Sequence, residues 1–356
     1  MKNIKKFFVL GLSLIMVSTF AFGCGQKDNT DTKEDTKKEE TTDDTTQTKE
    51  DDATGDKAKA GGKILFTMSS RDQFLTSMET AATKYADENG VELVVMDSED
   101  DITKQLSHIQ TAVTDDYDAI ICNLVNTDNS AEIISSAGDL PVVFVNRSPG
   151  EANLKADKYV YVGSNESDSG KFQAEYLAKY FKDQGKTEIN AVLLQGVLGL
   201  ENVIKRTDSV KKGLEEAGIK VNYVFEDTAK WDRATAQEMF IQFLGTGKQY
   251  DAVICNNDEM ALGVIEAMEM QGVDPTKVPV VGIDATAVGC EAIQAGKMAF
   301  SVYQSAAGQG EGAVKAAQAI VGGESISTIE GANDDKTIVW IPFEPVDKSN
   351  VEKYMK

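Results

Sequence analysis

The sequence predicts an α/β protein of two related lobes, each built on a parallel sheet flanked by helices. Three observations carry that expectation. One phrase occurs twice, YDAIICN at Tyr117 to Asn123 and YDAVICN at Tyr250 to Asn256. Each copy is followed by a second shared phrase, LPVVFVN ending at Asn146 and VPVVGID ending at Asp284. Short β-rich runs also alternate with longer helical patterns through both halves, the signature of βα units in parallel sheets with right-handed crossovers.

The chain has 356 residues. Residues 1–23 have a basic start (Lys2, Lys5, Lys6), an apolar run from Phe7 to Phe22 and small residues before Cys24. That is the layout of a secretory signal, and the run is short and wrongly flanked for a membrane span. Ala21-Phe22-Gly23-Cys24 resembles a bacterial lipobox, which makes Cys24 the expected lipidated first residue of the mature chain. From Gly25 to Ala60 no aromatic residue and no aliphatic one larger than alanine occurs. Such a stretch cannot bury enough apolar surface to offset its ordering entropy, so residues 24–60 are expected to form a disordered acidic, Thr-rich tether.

Removing the signal takes away three lysines and moves the formal charge from −22 to −25. That balance argues against nucleic acid or anionic head groups as partners. His108 is the only histidine, and no CxxC or HExxH motif occurs. Zinc chemistry and a histidine-based triad are thereby excluded, no metal or cofactor is expected, and His108 reads as a helix-surface residue. Cys122 and Cys255 lie in the repeated apolar strands of different halves, and with Cys290 they are expected to remain free thiols.

From Gly61 onward the length suits two lobes. KILFTM (63–68), VELVVMD (91–97), DAIICN (118–123) and PVVFVN (141–146) read as strands, with helices near 73–88, 102–115 and 129–138. The second half repeats the pattern with INAVLLQ (189–195), IKVNYVF (219–225), DAVICN (251–256) and PVVGID (279–284), and helices around 203–217, 232–245, 259–271 and 286–295. Gly90 and Gly218 stand where helices stop before a strand. The runs YVYVGSN (159–165), MAFSVYQS (298–305) and TIVWIPFEPVD (337–347) close the halves. They imply three crossings between lobes, near 163–166, 303–305 and 331–335, forming a three-segment hinge. The expected lobes are 61–164 with 305–332, and 165–304 with 333–356.

In open parallel sheets ligands gather beyond the carboxyl ends of the strands. The positions expected there carry a distinctive mixture. Asp72, Asn146, Arg147, Arg206, Asn257, Asp284 and Gln304 are planar groups with several donors or acceptors, while Phe74 and Trp231 add flat apolar faces. A pyranose divides the same way, with hydroxyls around its rim and C–H patches on its faces. Asp72 and Asn257 also suit helix caps after βα turns. A hydrolase would need a raised-pKa acid beside the scissile bond, and nothing marks one, so an enzyme is not expected.

The phrases RDQF (71–74), VNRSP (145–149), YVGSNESDSG (161–170), GLENVIKRT (199–207), DTAKWD (227–232), NNDEMALG (256–263), GIDATA (282–287) and VDKSN (346–350) resemble those of periplasmic galactose/glucose-binding proteins. Those are type I sugar-binding components of ABC importers, with ribose-binding proteins as relatives. The resemblance runs from Gly61 to the end and implies the type I periplasmic-binding-protein fold. By position it implies that Asp72, Phe74 and Asn146 contact the sugar from the first lobe. Arg206 would bind near the ring oxygen and anomeric hydroxyl, Trp231 would stack opposite Phe74, Asn257 and Asp284 would hold adjacent hydroxyls, and Gln304 would lie at a crossing.

Three departures stand out. Leu200 and Asn202 replace a histidine and an aspartate of the galactose/glucose pattern. Gln304 and Arg147 match the ribose-binding branch. KDQGKTEIN at Lys182 to Asn190 lacks the alternating oxygens of the family's calcium loop, so no bound calcium is expected. The resemblance thus implies an extracytoplasmic, membrane-anchored monomeric lipoprotein that hands a monosaccharide to the transmembrane subunits of an ABC permease driven by a cytoplasmic ATPase. A galactose/glucose-type hexose stands first, with a pentose or an inositol as alternatives and a sugar-sensing receptor as the other role.

Overall fold

A computed structural model describes residues 61–355. The expected signal, the lipidation residue Cys24 and the tether 24–60 lie outside them. The first half supplies β1 (Lys63–Met68), α1 (Gln73–Glu88), β2 (Glu92–Asp97), α2 (Ile102–Thr114), β3 (Ala119–Cys122), α3 (Ser130–Ser136), β4 (Val142–Val145) and β5 (Tyr159–Gly163). The second supplies α4 (Glu166–Lys182), β6 (Glu188–Gln195), α5 (Glu201–Glu216), β7 (Lys220–Thr228), α6 (Arg233–Gly245), β8 (Ala252–Cys255), α7 (Asp258–Met270), β9 (Val280–Val281), α8 (Ala287–Gln294) and β10 (Phe300–Tyr303). The chain ends with α9 (Ala306–Val321), β11 (Ile338–Trp340) and β12 (Glu344–Asp347).

These strands form two six-stranded sheets. The first runs β2-β1-β3-β4-β5-β11 with every pair parallel. The second repeats the order as β7-β6-β8-β9-β10-β12, and only β12 runs antiparallel to its neighbour. The repeated phrase therefore occupies the equivalent central strand of each sheet. Helices cover both faces of both sheets, so AIIC of β3 and AVIC of β8 are buried throughout and show no polar alternation. In the first sheet Phe66, Met78, Val143 and Val314 pack on one face, and Leu65, Ile109, Ile120 and Ile133 on the other. In the second, Val192, Phe240, Met260 and Ile293 fill one face, and Phe181, Leu193, Val210 and Ile254 the other.

The chain leaves the first sheet after β5, through Ser164 and Asn165, and returns after β10, through Gln304 and Ser305. Its last passage lies at 341–343, not at the expected 331–335. Ile338 pairs with Tyr161 and Trp340 with Gly163, so the first sheet holds the chain to Trp340. The single apolar run read at 337–347 is two strands belonging to different sheets. Pro342 lies between them and has no N–H to give to a ladder.

Two helices escape the sequence pattern, α4 and α9. In α9, Gly308, Gly310 and Gly312 lower helix propensity. Their reason is contact. A Cβ at Gly310 would collide with the carbonyl oxygen of Met78 on α1, and one at Gly170 of α4 with the carbonyl oxygen of Arg206 on α5. The two helix pairs thus approach backbone to backbone. The strand expected at 279–284 shortens to Val280–Val281, followed by a lone bridge from Asp284 to Tyr303. His108 is half-buried, and its Nδ1 lies 3.1 Å from Thr67 Oγ1, so it is no simple surface residue. Cys122, Cys255 and Cys290 are free and buried.

Gly310→Ala tests the close approach. In an open helix this change stabilises by about 1 kcal/mol. Here overpacking opposes it, and a net loss of about 1–2 kcal/mol is expected as a lower urea midpoint at unchanged slope. A stabilised variant would refute the contact.

Candidate functional site

All nine residues singled out at the cleft, together with Asn202, line one cavity of about 40 Å³. Asp72, Phe74, Asn146 and Arg147 come from elements of the first sheet. Asn202, Arg206, Trp231, Asn257 and Asp284 come from those of the second, and Gln304 from the crossing after β10. Gln73, Leu75, Glu259 and Thr286 complete the lining. Asp72 stays exposed at the rim, Phe74 and Trp231 are half-buried, and the other seven are buried.

Each side chain is set by its own local structure. Asp72 caps α1, with Oδ1 accepting the Leu75 N–H at 2.7 Å. Asn257 caps α7, with Oδ1 accepting the Met260 N–H at 3.0 Å, while its Nδ2 donates to the Trp231 carbonyl at 3.3 Å. The capping and cavity-lining readings of these residues are therefore both realised. Asn146, Trp231 and Asp284 have φ of 66°, 69° and 117°. Three L residues in a sparsely populated backbone region around one cavity are strain of the kind that collects at functional sites. Trp231 lies over the backbone of Gly196, where a Cβ would strike the indole ring. Asn202 turns its Oδ1 to the Val203 N–H at 3.0 Å.

The two arginines are anchored by contacts within the protein. Arg147 donates through Nη1 to the carbonyls of Leu124 at 2.7 Å and Val125 at 3.2 Å. Arg206 donates from Nε to Glu166 Oε2 at 2.6 Å, from Nη1 to the Asn256 carbonyl at 2.8 Å and from Nη2 to Gln304 Oε1 at 3.0 Å. Its guanidinium carbon sits 5.5 Å from the centre of the Trp231 ring, within cation–π range. Of its five N–H groups the described residues use three, which leaves one on each Nη. Gln304 Nε2 is buried and finds no partner among the described residues. The cavity therefore holds donors without acceptors.

It also holds a carboxylate that the fold disfavours. Asp284 lies 4.0 Å from Arg206 Nη1. Burial pushes its pKa well above the usual carboxylate range, Arg206 pulls it back, and Asp258 adds to the rise. Asp258 is buried behind it, accepting from Ser301 Oγ at 2.6 Å and the Thr286 N–H at 2.9 Å, and burial raises it to about 7.

Several supporting residues carry little sequence signal. Glu166 gave none. Asn256 did, since both copies of the repeated phrase end in asparagine. Asn123 Oδ1 accepts from the Ser69 N–H and Oγ, and Asn256 Oδ1 from the Gly196 N–H at 3.3 Å. Each asparagine ties its own strand end to that of a neighbouring strand. Among the described residues no three His, Cys, Asp or Glu side chains converge as metal ligands.

Residues 64–325 match the family model described as a periplasmic binding protein domain. The chain belongs to this family. A putative rhizopine-binding protein of Rhizobium meliloti is 35% identical over 287 residues, covering 80% of this chain and 89% of the relative. The D-galactose/methyl-galactoside binding periplasmic protein of Haemophilus influenzae is 30% identical over 297 residues, with the same coverages. Among solved structures, an ABC transporter solute binding protein from Bacillus halodurans with bound myo-inositol is 35% identical and superposes with a TM-score of 0.74, over 85% of this chain and 99% of that one. The shared architecture is the two-lobed type I fold of the family.

Asp284→Asn tests what burying this carboxyl costs in stability. A carboxyl whose pKa rises on folding binds protons more tightly folded than unfolded, so its cost appears as pH climbs past the unfolded pKa and grows until the folded one. D284N is expected to melt higher than the parent at pH 7, with the gap closing toward pH 4. Scanning fluorimetry of the ligand-free protein across that range checks it. A variant that melts lower at pH 7 would show that the Arg206 contact outweighs burial.

Proposed function

We propose that this chain is the extracytoplasmic substrate-binding component of an ABC importer and that its ligand is a cyclic polyol of the inositol type. The observation that carries the reading is a cavity lined from both lobes by planar polar groups and two aromatic side chains. A cyclohexane polyol offers hydroxyls that donate and accept around its rim and C–H faces for Phe74 and Trp231. Asp284 accepts, Gln304 Nε2 and the free N–H groups of Arg206 donate, and a ligand lacking matching hydroxyls leaves these buried groups unpaired.

Two observations favour an inositol over a hexose. The Bacillus halodurans protein with bound myo-inositol is 35% identical, whereas the galactoside-binding relative is 30% identical. Leu200 and Asn202 also stand where the galactose/glucose pattern has the histidine and aspartate that serve the hydroxymethyl and anomeric ends, and an inositol has neither end. A galactose/glucose-type hexose is the second reading, supported by the galactoside-binding relative and by Asp72, Arg206 and Trp231, which the resemblance to galactose/glucose-binding proteins assigns to the sugar.

Capture involves no covalent step. Only a closed arrangement contacts the ligand from both lobes, so binding shifts the population toward it. The closed form then docks on the permease, whose ATPase drives release; both partners follow from the family. Anchoring through Cys24 is part of the same proposal.

The full chain should be screened by thermal shift against myo-inositol, D-galactose, D-glucose, D-ribose and D-xylose. At ~100 times its dissociation constant a ligand adds about 2.7 kcal/mol, or roughly 5–10 °C. Myo-inositol is expected to give that shift. A shift with D-galactose or D-glucose and none with myo-inositol would establish the second reading, and no shift with any of the five would overturn both.

A further inference from the structure

Arg206 is gripped at both places where the chain crosses between sheets in mid-sequence. Glu166 is the first residue of α4, three beyond the last residue of β5, and Gln304 lies between β10 and α9. One takes the Nε–H and the other an Nη2–H. Glu166 is 2% exposed and Arg206 3%. A glutamate serving only the dipole of α4 would gain the same benefit in solvent, without losing its hydration. Glu166 is instead turned inward, and its Oε1 has no partner among the described residues, an arrangement with a real desolvation cost. The contact to Arg206 is what it obtains in exchange.

The first lobe has a counterpart. Asn146 Nδ2 donates to Gln309 Oε1 at 3.1 Å, and Gln309 Nε2 donates to Ser164 Oγ at 3.3 Å. Gln309 sits in the first turn of α9, just past the second crossing, and Ser164 lies in the first. A cavity residue of each lobe is thus wired to the crossings.

We propose that Glu166 is a positioning residue for ligand capture. It fixes the rotation of the Arg206 guanidinium so that the two unused N–H groups serve the cavity. Because it stands at the first crossing, that alignment also depends on how the crossing is bent. The inference rests on the cavity being the ligand site, as proposed above, and is tested partly without any ligand.

The experiment uses the full chain with Trp340→Phe, which leaves Trp231 as the sole tryptophan, and adds Glu166→Ala, Glu166→Gln or Glu166→Asp. Myo-inositol affinity is measured by calorimetry, and the surroundings of Trp231 by acrylamide quenching of the ligand-free protein. Glu166→Ala is expected to weaken binding about 10-fold or more, equivalent to about 1.4 kcal/mol, and to change the quenching constant. Glu166→Gln, which keeps an acceptor at the same reach, should stay close to the parent in both. Parental affinity and quenching in Glu166→Ala, whatever its melting temperature, would overturn the proposal. Should that variant fail to fold, the other two decide. Glu166→Asp keeps the charge but loses the reach, so weaker binding than Glu166→Gln supports positioning and tighter or equal binding overturns it. If the parent itself does not bind myo-inositol, the ligand reading falls, while quenching still decides the role of Glu166.

Discussion

Taking a guanidinium out of water is costly unless its donors are met, and the cleft face of the second lobe is organised around meeting them for Arg206. Glu166, Asn256 and Gln304 each supply an oxygen, and Trp231 supplies a π face. These come from the start of α4, the end of β8, the crossing after β10 and the loop before α6. The ion pair therefore fixes four separate pieces of chain relative to one another. Asp284 lies 4.0 Å from Arg206 Nη1, outside this set of hydrogen bonds.

The same logic explains why so much of the site is strained or under-partnered while the sheets behind it are not. The cores are apolar on both faces of each sheet, so their strands need only β-branched and aliphatic bulk. At the carboxyl ends of those strands the chain must turn while presenting polar groups inward. Left-handed Asn146 and Trp231 do this at a backbone cost that the surrounding hydrogen bonds hold in place.

The two-sheet architecture was legible because duplication repeats hydrophobic bulk at equal spacing, and buried parallel strands write that bulk without interruption. The cavity residues were legible because each follows a strand or caps a helix, where polarity has few other reasons to cluster. Helix α9 was hidden because three closely spaced glycines lower local helix propensity, and at Gly310 close packing demands the glycine, a tertiary requirement overriding propensity. The final crossing was misplaced because an unbroken run of apolar residues does not say which sheet each half joins. Glu166 drew no role for a different reason: an acidic side chain in a polar stretch is expected in solvent, and here it is turned inward onto Arg206 of α5.

The ordering of the sheets has a consequence for how the molecule is made. The first sheet needs β11, and the face formed by α1 needs α9, yet both are encoded after the whole second sheet except β12. During synthesis Met78 and Ala82 of α1 therefore have no helix to cover them until residues 306–321 emerge. The amino-terminal lobe, first to be translated, is completed late, and its half-built core is the surface an escorting chaperone would meet.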